Sequence, residues 1–88
     1  MNEIIIDGSK IKTIDEFHDE IEKISSVNGY GRNLDALYDV FTEMTDTLII
    51  IKYFDTLNEK LGDYADKILM VINDANEDNE SLSVKFSS

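Results

Sequence analysis

Hydrophobic positions along the chain follow two different periods. Three short runs of β-branched or alternating apolar residues, at 4–6, 48–51 and 82–86, are bounded by Gly, Asp, Asn or Ser and predict strands. Between them, apolar residues recur every three or four positions, which is typical of amphipathic helices. The helical positions fall into four groups: Ile14, Phe17, Ile21 and Ile24; Leu34, Leu37, Phe41 and Met44; residues 55–61; and Tyr64, Ile68, Val71 and Ala75.

Helix-end signals support these groups. Thr13 and Glu16 form a capping box at the start of the first helix, because each side chain can accept a free backbone N–H at that end. Asn33 is a favourable N-cap for the second helix, and Gly62 is a natural C-cap for the third. Residues 73–81 form a polar, acidic stretch before the last strand.

The resulting order, β-αα-β-αα-β, predicts an α/β fold. Strands joined by helical crossovers are most simply parallel, so we expect a three-stranded parallel sheet packed with about four helices. The uninterrupted run at 48–51 predicts a strand that is covered on both faces or lies at the centre of that sheet. With 88 residues, of which 42% are hydrophobic, the chain is expected to form a single domain over residues 1–88.

The charge balance narrows the classes of function. Eight Lys and Arg residues against 19 Asp and Glu residues give a formal net charge of −11. This charge argues against binding to nucleic acid or anionic membrane and favours basic partners. The absence of cysteine excludes disulfides, thiolate catalysis and cysteine metal sites. No signal peptide and no apolar run of roughly 18 residues is evident, so we expect a cytoplasmic protein.

Two aspartates on the second predicted helix are the first candidates for function. Asp35 and Asp39 are four residues apart and share one face, roughly opposite the core positions. Like charges at this spacing repel each other, and no Lys or Arg stands at 36, 38, 42 or 43 to compensate them. The spacing alone leaves two interpretations open: an anionic surface for a basic partner, or an ordinary solvated helix face.

The segment around these aspartates resembles a family signature. Residues 30–39 read Tyr-Gly-Arg-Asn-Leu-Asp-Ala-Leu-Tyr-Asp, and the barstar family of intracellular ribonuclease inhibitors has the pattern Tyr-Gly-x-Asn-Leu-Asp-Ala-Leu, then an aromatic residue, then Asp. The resemblance extends over essentially the whole chain and implies a barstar-like fold. It also implies one-to-one inhibition of a basic, barnase-like ribonuclease, whose active site is plugged by the second helix and the preceding loop.

The resemblance assigns roles to individual residues. Helix carboxylates would stand where the RNA phosphate stands and form charge-assisted hydrogen bonds with the enzyme's cationic groups. By this resemblance Asp39 is the phosphate mimic and Asp35 is the second main anionic contact. The other implied partner-binding residues are Tyr30, Gly31 and Asn33 in the loop, Tyr38, Thr42 and Met44 on or after the helix, and Asp74 on the last helix. We expect no catalytic residue, cofactor or metal.

Two departures from the family pattern bear on the partner. Gly29 stands where the family has a tyrosine that stacks in the enzyme's site. Arg32 replaces an acidic residue and places a positive charge beside the predicted interface. Both changes indicate a partner that differs from barnase itself.

Other interpretations remain open at this stage. The same helix would serve an immunity protein for a toxin nuclease unlike barnase, or an acidic protein-interaction module without inhibitory activity. An enzyme using Asp35 and Asp39 as a carboxylate pair lacks His, Cys or Gly-rich partners in the sequence. The start of an EF-hand loop is suggested at 74–78, but the required Gly and terminal Glu are missing. His18, the single histidine, is expected at a surface or half-buried helix position rather than as a ligand or general base.

Overall fold

Three parallel strands carry the fold. The computed structural model describes residues 2–25 and 29–87, and within them β1 (Asn2–Asp7), β2 (Thr47–Lys52) and β3 (Leu82–Ser87) form one sheet in the order β1-β2-β3. Both strand pairs are parallel. The expected three-stranded parallel sheet is therefore confirmed, with the apolar run at 48–51 in its central strand.

The helices of the described residues cover one face of the sheet and leave the other open. The register aligns Ile6 with Ile51 and Ile49 with Val84, which places these side chains on the face that packs against the helices. The opposite face carries Ile5, which is 56% exposed, next to the half-buried Ile50. The apolar run in β2 thus reflects its central position, and the alternative of a strand covered on both faces is wrong.

In residues 2–25 and 29–87, four α-helices lie in the two crossovers between the strands. A short 3-10 helix (Gly8–Lys10) follows β1, then α1 (Ile14–Ile24) and α2 (Leu34–Thr42) lead to β2, and α3 (Phe54–Leu61) and α4 (Asp63–Asp78) lead to β3. This order confirms the predicted β-αα-β-αα-β succession. The fully buried side chains come from every α-helix, from the core face of the sheet and, with Ile11, from the connection before α1; they include Phe17, Phe41, Ile49 and Leu57.

Helix α4 extends further than its apolar pattern indicates. It continues to Asp78 through residues that the sequence shows only as a polar stretch. The stripe of Ile68, Ile72 and Ala75 is buried, so the polar residues of this segment occupy the exposed side of the same helix. Ile72, rather than Val71, is the buried residue of its turn.

Side-chain caps begin the first two helices as predicted. The Thr13 hydroxyl accepts the backbone N–H of Glu16 at 3.1 Å, while the Glu16 carboxylate accepts the N–H of Lys12 at 2.8 Å. The capping box therefore closes one residue earlier than its usual form. The Asn33 side chain accepts the backbone N–H of Ala36 at 2.8 Å, which begins α2.

A close approach of two backbones joins β1 to the start of α3. A Cβ atom on the buried Gly8 would lie 2.6 Å from the carbonyl oxygen of Tyr53 and 2.9 Å from that of Lys52. Only glycine fits this space without a shift of the neighbouring chain. Within the described residues, no helix combines the length and the apolar character needed to cross a membrane.

Candidate functional site

Helix α2 separates its charged residues from its core residues. Leu37, Val40 and Phe41 are buried, whereas Asp35 and Asp39 are exposed on the other side. Within the described part of the chain, neither carboxylate forms a salt bridge. Asp35 lies in the first turn, where the helix dipole favours a negative charge, but Asp39 lies deeper and gains little from it.

The end of α4 adds further negative charge to this surface. The Tyr38 hydroxyl of α2 donates a hydrogen bond to the Asp78 carboxylate at the last residue of α4. That bond raises the pKa of Tyr38, and the negative charges of Asp78, Asp74 and Asp39 raise it further. The negative charges of Asp39 on α2 and Asp74 on α4 therefore both act on the Tyr38 phenol, which links the two helices through Asp78.

A small pocket lies between the loop before α2 and the helix itself. Its volume is about 160 Å³, and two acidic residues of α2, Asp39 and Glu43, contribute to its lining. The remaining lining residues are Gly29, Tyr30, Gly31, Ala36 and Val40. The predicted loop residues Tyr30 and Gly31 are thus brought into contact with the same concave surface as Asp39.

Tyr30 also reaches inward to a buried histidine. Its hydroxyl lies 2.6 Å from Nδ1 of His18, and Nε2 of His18 lies 2.8 Å from the hydroxyl of Tyr64 on α4. His18 is only 3% exposed, so the expectation of a surface or half-buried histidine is wrong. A neutral imidazole has one hydrogen-bond donor and one acceptor. The two tyrosine hydroxyls satisfy both, so burial of His18 leaves no ring nitrogen without a partner.

The surroundings of His18 shift its pKa downward, mainly through burial. Burial and the positive charge of Arg32 lower the pKa of His18, while Asp15, Asp19 and Glu22 oppose that shift. Burial also raises the pKa of Tyr30. A sequence signal for the burial did exist, because His18 adjoins Phe17 and lies three residues before Ile21 on the apolar face of α1.

Arg32 points away from α2 and towards α1. Its guanidinium donates to the carboxylates of Glu22 at 2.6 Å, Asp15 at 2.7 Å and Asp19 at 2.9 Å, and to the backbone carbonyl of Asp15 at 2.9 Å. These bonds raise the pKa of Arg32. The sequence places a positive charge next to α2, but the structure compensates that charge with three carboxylates of α1.

Two other predicted site residues form local bonds in the helix. Asn33 caps α2, and its amide nitrogen donates to the Gly31 carbonyl at 3.3 Å. The Thr42 hydroxyl donates to the backbone carbonyls of Tyr38 at 2.9 Å and Asp39 at 3.2 Å. Both side chains therefore hold the helix and its entry loop in shape.

Met44 lies apart from the pocket that contains Asp39. It is half-buried, packs against the core and lines a separate pocket with Asn2, Ile4 and Ile24. Of the predicted residues, the structure groups Tyr30, Gly31 and Asp39 around one pocket, with Asp35 on the same helix, while Met44 faces different neighbours.

Asn79 is a structural residue that sequence reasoning missed. Its amide nitrogen donates to the carbonyls of Phe41 at 3.0 Å and Met44 at 2.8 Å, and its oxygen accepts the N–H of Ser81 at 3.0 Å. This side chain ties the end of α2 to the turn before β3. In the sequence, Asn79 belongs to the polar stretch at 73–81, where nothing local distinguishes it from a solvated residue.

The structure does not form the suggested EF-hand loop. Residues 74–78 belong to helix α4, whereas calcium ligands of that kind require a loop. Among residues 2–25 and 29–87, no group of three or more His, Cys, Asp or Glu side chains is arranged to hold a metal ion.

Comparison with known proteins agrees with the resemblance seen around residues 30–39. The family model described as "Barstar (barnase inhibitor)" matches residues 1–87. A protein of Bacillus subtilis (strain 168) named "Putative ribonuclease inhibitor YrdF" is 42% identical over 81 residues, which is 89% of this chain and 89% of that protein.

Proposed function

The chain belongs to the barstar family, and from that premise we propose that it inhibits a basic ribonuclease by blocking its active site. The observation that carries the proposal is the exposed pair Asp35 and Asp39 on α2, which has no salt-bridge partner in the described part of the chain. Asp74 and Asp78 extend the negative surface onto α4.

The chemistry of a ribonuclease active site suits this surface. Such a site binds the RNA phosphate with cationic side chains, and carboxylate oxygens can replace phosphate oxygens in charge-assisted hydrogen bonds. We assign the phosphate-mimicking role to Asp39, because it lies on the exposed face of α2 and also lines the pocket beside the loop. Asp35, one helical turn earlier, provides the second anionic contact.

The uncompensated charges also favour binding energetically. Asp35 and Asp39 repel each other on the free helix, and a cationic partner relieves that repulsion. The net charge of −11 attracts a basic partner over a range of about 8–10 Å at physiological salt, which speeds association.

The loop before α2 supplies the concave part of the proposed interface. Tyr30 and Gly31 form one wall of the pocket, and Asn33 fixes the start of α2. We place Tyr38 and Asp74 at the side formed by α4. Thr42 and Met44 are proposed as peripheral contacts, because the Thr42 hydroxyl bonds to helix carbonyls and Met44 lines a separate pocket.

The target that we propose is a barnase-like ribonuclease or a related toxin nuclease, bound one-to-one. The chain would then act in the cytoplasm as an immunity protein for the cell that makes the nuclease. Gly29 favours a target other than barnase, because it offers no side chain to stack in the enzyme's site where the family has a tyrosine. In this proposal the chain is an inhibitor and not an enzyme.

The test is a titration of a secreted, basic, guanyl-preferring ribonuclease with the purified chain, with RNA cleavage as the readout. We expect inhibition that is complete at one equivalent and an association rate that falls as salt is added. Asp39→Ala should weaken binding at least about 30-fold, corresponding to about 2 kcal/mol, as expected for a central interface residue. Its thermal midpoint should be unchanged or slightly raised, because helix repulsion is relieved.

The matched control is Asp66→Ala, which removes one exposed aspartate from α4 outside the proposed interface. If both variants lost affinity equally, net charge rather than Asp39 would explain binding. An Asp39→Ala protein that inhibits normally but unfolds more easily would show that Asp39 serves the fold instead.

A further inference from the structure

We infer that Arg32 is a positioning residue that fastens the loop at 29–33 to α1 and thereby holds α2 and its pocket ready for the partner. The attachment itself is a property of the free chain. Its consequence for binding rests on the proposed function.

Arg32 binds three acidic residues of α1 at once, and we call this set of contacts, between Arg32 and Asp15, Asp19 and Glu22, the clamp. Asp15, Asp19 and Glu22 follow one another at intervals of four and three residues, so they form a stripe along one face of α1. The guanidinium reaches all three carboxylates at 2.6–2.9 Å. Nη2 contacts Asp15 and Asp19, and Nη1 contacts Glu22, so the two terminal nitrogens of the planar guanidinium divide the stripe between them, whereas lysine would have a single nitrogen for all three carboxylates.

The backbone at Arg32 gives a second, independent sign of constraint. Its φ angle is 55°, in the left-handed region that residues other than glycine seldom adopt. Such a conformation is strained and persists where surrounding contacts require it. The four hydrogen bonds of a side chain that is only 30% exposed supply such contacts.

The clamp lies directly beside the proposed interface. Arg32 precedes Asn33, the N-cap of α2, and follows Gly31, which lines the pocket. Tyr30 makes a second attachment to α1 through His18. The contacts of Tyr30 and Arg32 with α1 therefore fix the position at which α2 begins. Because the loop is already ordered in the free chain, binding does not have to pay the entropy of ordering it.

The sign of the mutational effect separates this inference from a simple charge effect. If Arg32 were only a cation near a basic partner, its removal would strengthen binding. If Arg32 positions the loop, its removal weakens binding, although Arg32 itself offers nothing attractive to a cationic site. The two explanations therefore predict opposite changes in affinity.

The experiment measures two quantities on Arg32→Gln and Arg32→Lys: hydrogen exchange of the loop amides in the free chain, and affinity for the inhibited ribonuclease. We expect faster exchange at 29–33 in Arg32→Gln and roughly tenfold weaker binding, with Arg32→Lys in between. A triple variant of the acidic stripe, D15N/D19N/E22Q, should behave like Arg32→Gln. Combining it with Arg32→Gln should add little, because both changes break the same contact.

The control triple, E59Q/D63N/D66N, removes three exposed carboxylates from α3 and α4 without touching Arg32, and loop exchange should stay unchanged in it. Unchanged loop exchange in Arg32→Gln would overturn the clamp, and equal or tighter binding would overturn its role in recognition. If the parent chain inhibits no ribonuclease, the proposed function fails, while the exchange measurement still decides whether Arg32 holds the loop.

Discussion

Replacing Asn79 by alanine tests how the end of α2 is held in place. The change removes three side-chain hydrogen bonds, of 2.8, 3.0 and 3.0 Å, that join the carbonyls of Phe41 and Met44 to the N–H of Ser81. Asn79 is half-buried, so water can replace only part of what is lost. No other side chain in the described residues hydrogen-bonds to either of the two carbonyls.

The expected magnitude follows from these three bonds. At a net value of about 1 kcal/mol each, they contribute about 3 kcal/mol. Two effects offset part of this: water rehydrates the carbonyls, and alanine has no side-chain rotamer entropy to lose on folding. The expected decrease in the free energy of unfolding is therefore about 2 kcal/mol. For a chain of this size, that corresponds to a fall of roughly 8–16 °C in the thermal midpoint.

The assay is urea denaturation followed by far-UV circular dichroism, with the slope of the transition compared among variants to confirm that it is unchanged. Asn79→Asp sharpens the test, because the carboxylate still accepts the Ser81 N–H but donates to neither carbonyl. It should be at least as destabilising as Asn79→Ala. Asn76→Ala, an exposed position on α4, is the control and should be neutral or slightly stabilising. A loss below about 0.5 kcal/mol for Asn79→Ala, or a fully stable Asn79→Asp, would refute the reasoning.

Two further predictions concern His18 and Gly8. Burial holds the folded-state pKa of His18 below its ordinary value of 6.5, so the unfolded chain binds the proton more readily and the fold loses stability as pH falls below about 6.5. In denaturation series from pH 8 to 5, the advantage of the parent over His18→Gln should shrink; parallel curves would contradict the assignment. Gly8→Ala should cost about 1–3 kcal/mol, since its Cβ would lie 2.6 Å from the Tyr53 carbonyl oxygen. Gly31→Ala, whose Cβ meets nothing closer than 3.3 Å, should lose clearly less in the same urea titration.

The order of strands and helices was predictable because it depends on local hydrophobic period. Helix α2 follows from apolar residues at helical spacing, strand β2 follows from a short β-branched run, and the caps at Thr13 and Asn33 follow from short-range chemistry. The length of α4 was harder to predict. Its last turns are polar on the exposed side, and an exposed helix face has the same composition as a loop.

The acidic face of α2 could be read from the sequence, but the contacts that shape its surroundings could not. Asn79 bonds to residues 35 and 38 positions away, and His18 bonds to Tyr30 and Tyr64 at separations of 12 and 46. Arg32 finds its partners 10 to 17 residues earlier. The sequence around each side chain does not identify these partners, because only the packing of α1, α2 and α4 brings them together.

Because one face of the sheet is open, β2 has two sets of positions that tolerate different substitutions. Ile49 and Ile51 fill the core, so polar replacements there would leave unpaired groups among apolar side chains. Leu48 and Ile50 face outward between β1 and β3, where a polar or charged residue meets water. Divergence among relatives should therefore alternate along this strand with a period of two. The face opposite the helices can change its chemistry from species to species, while the helical layer that carries the acidic surface stays in place.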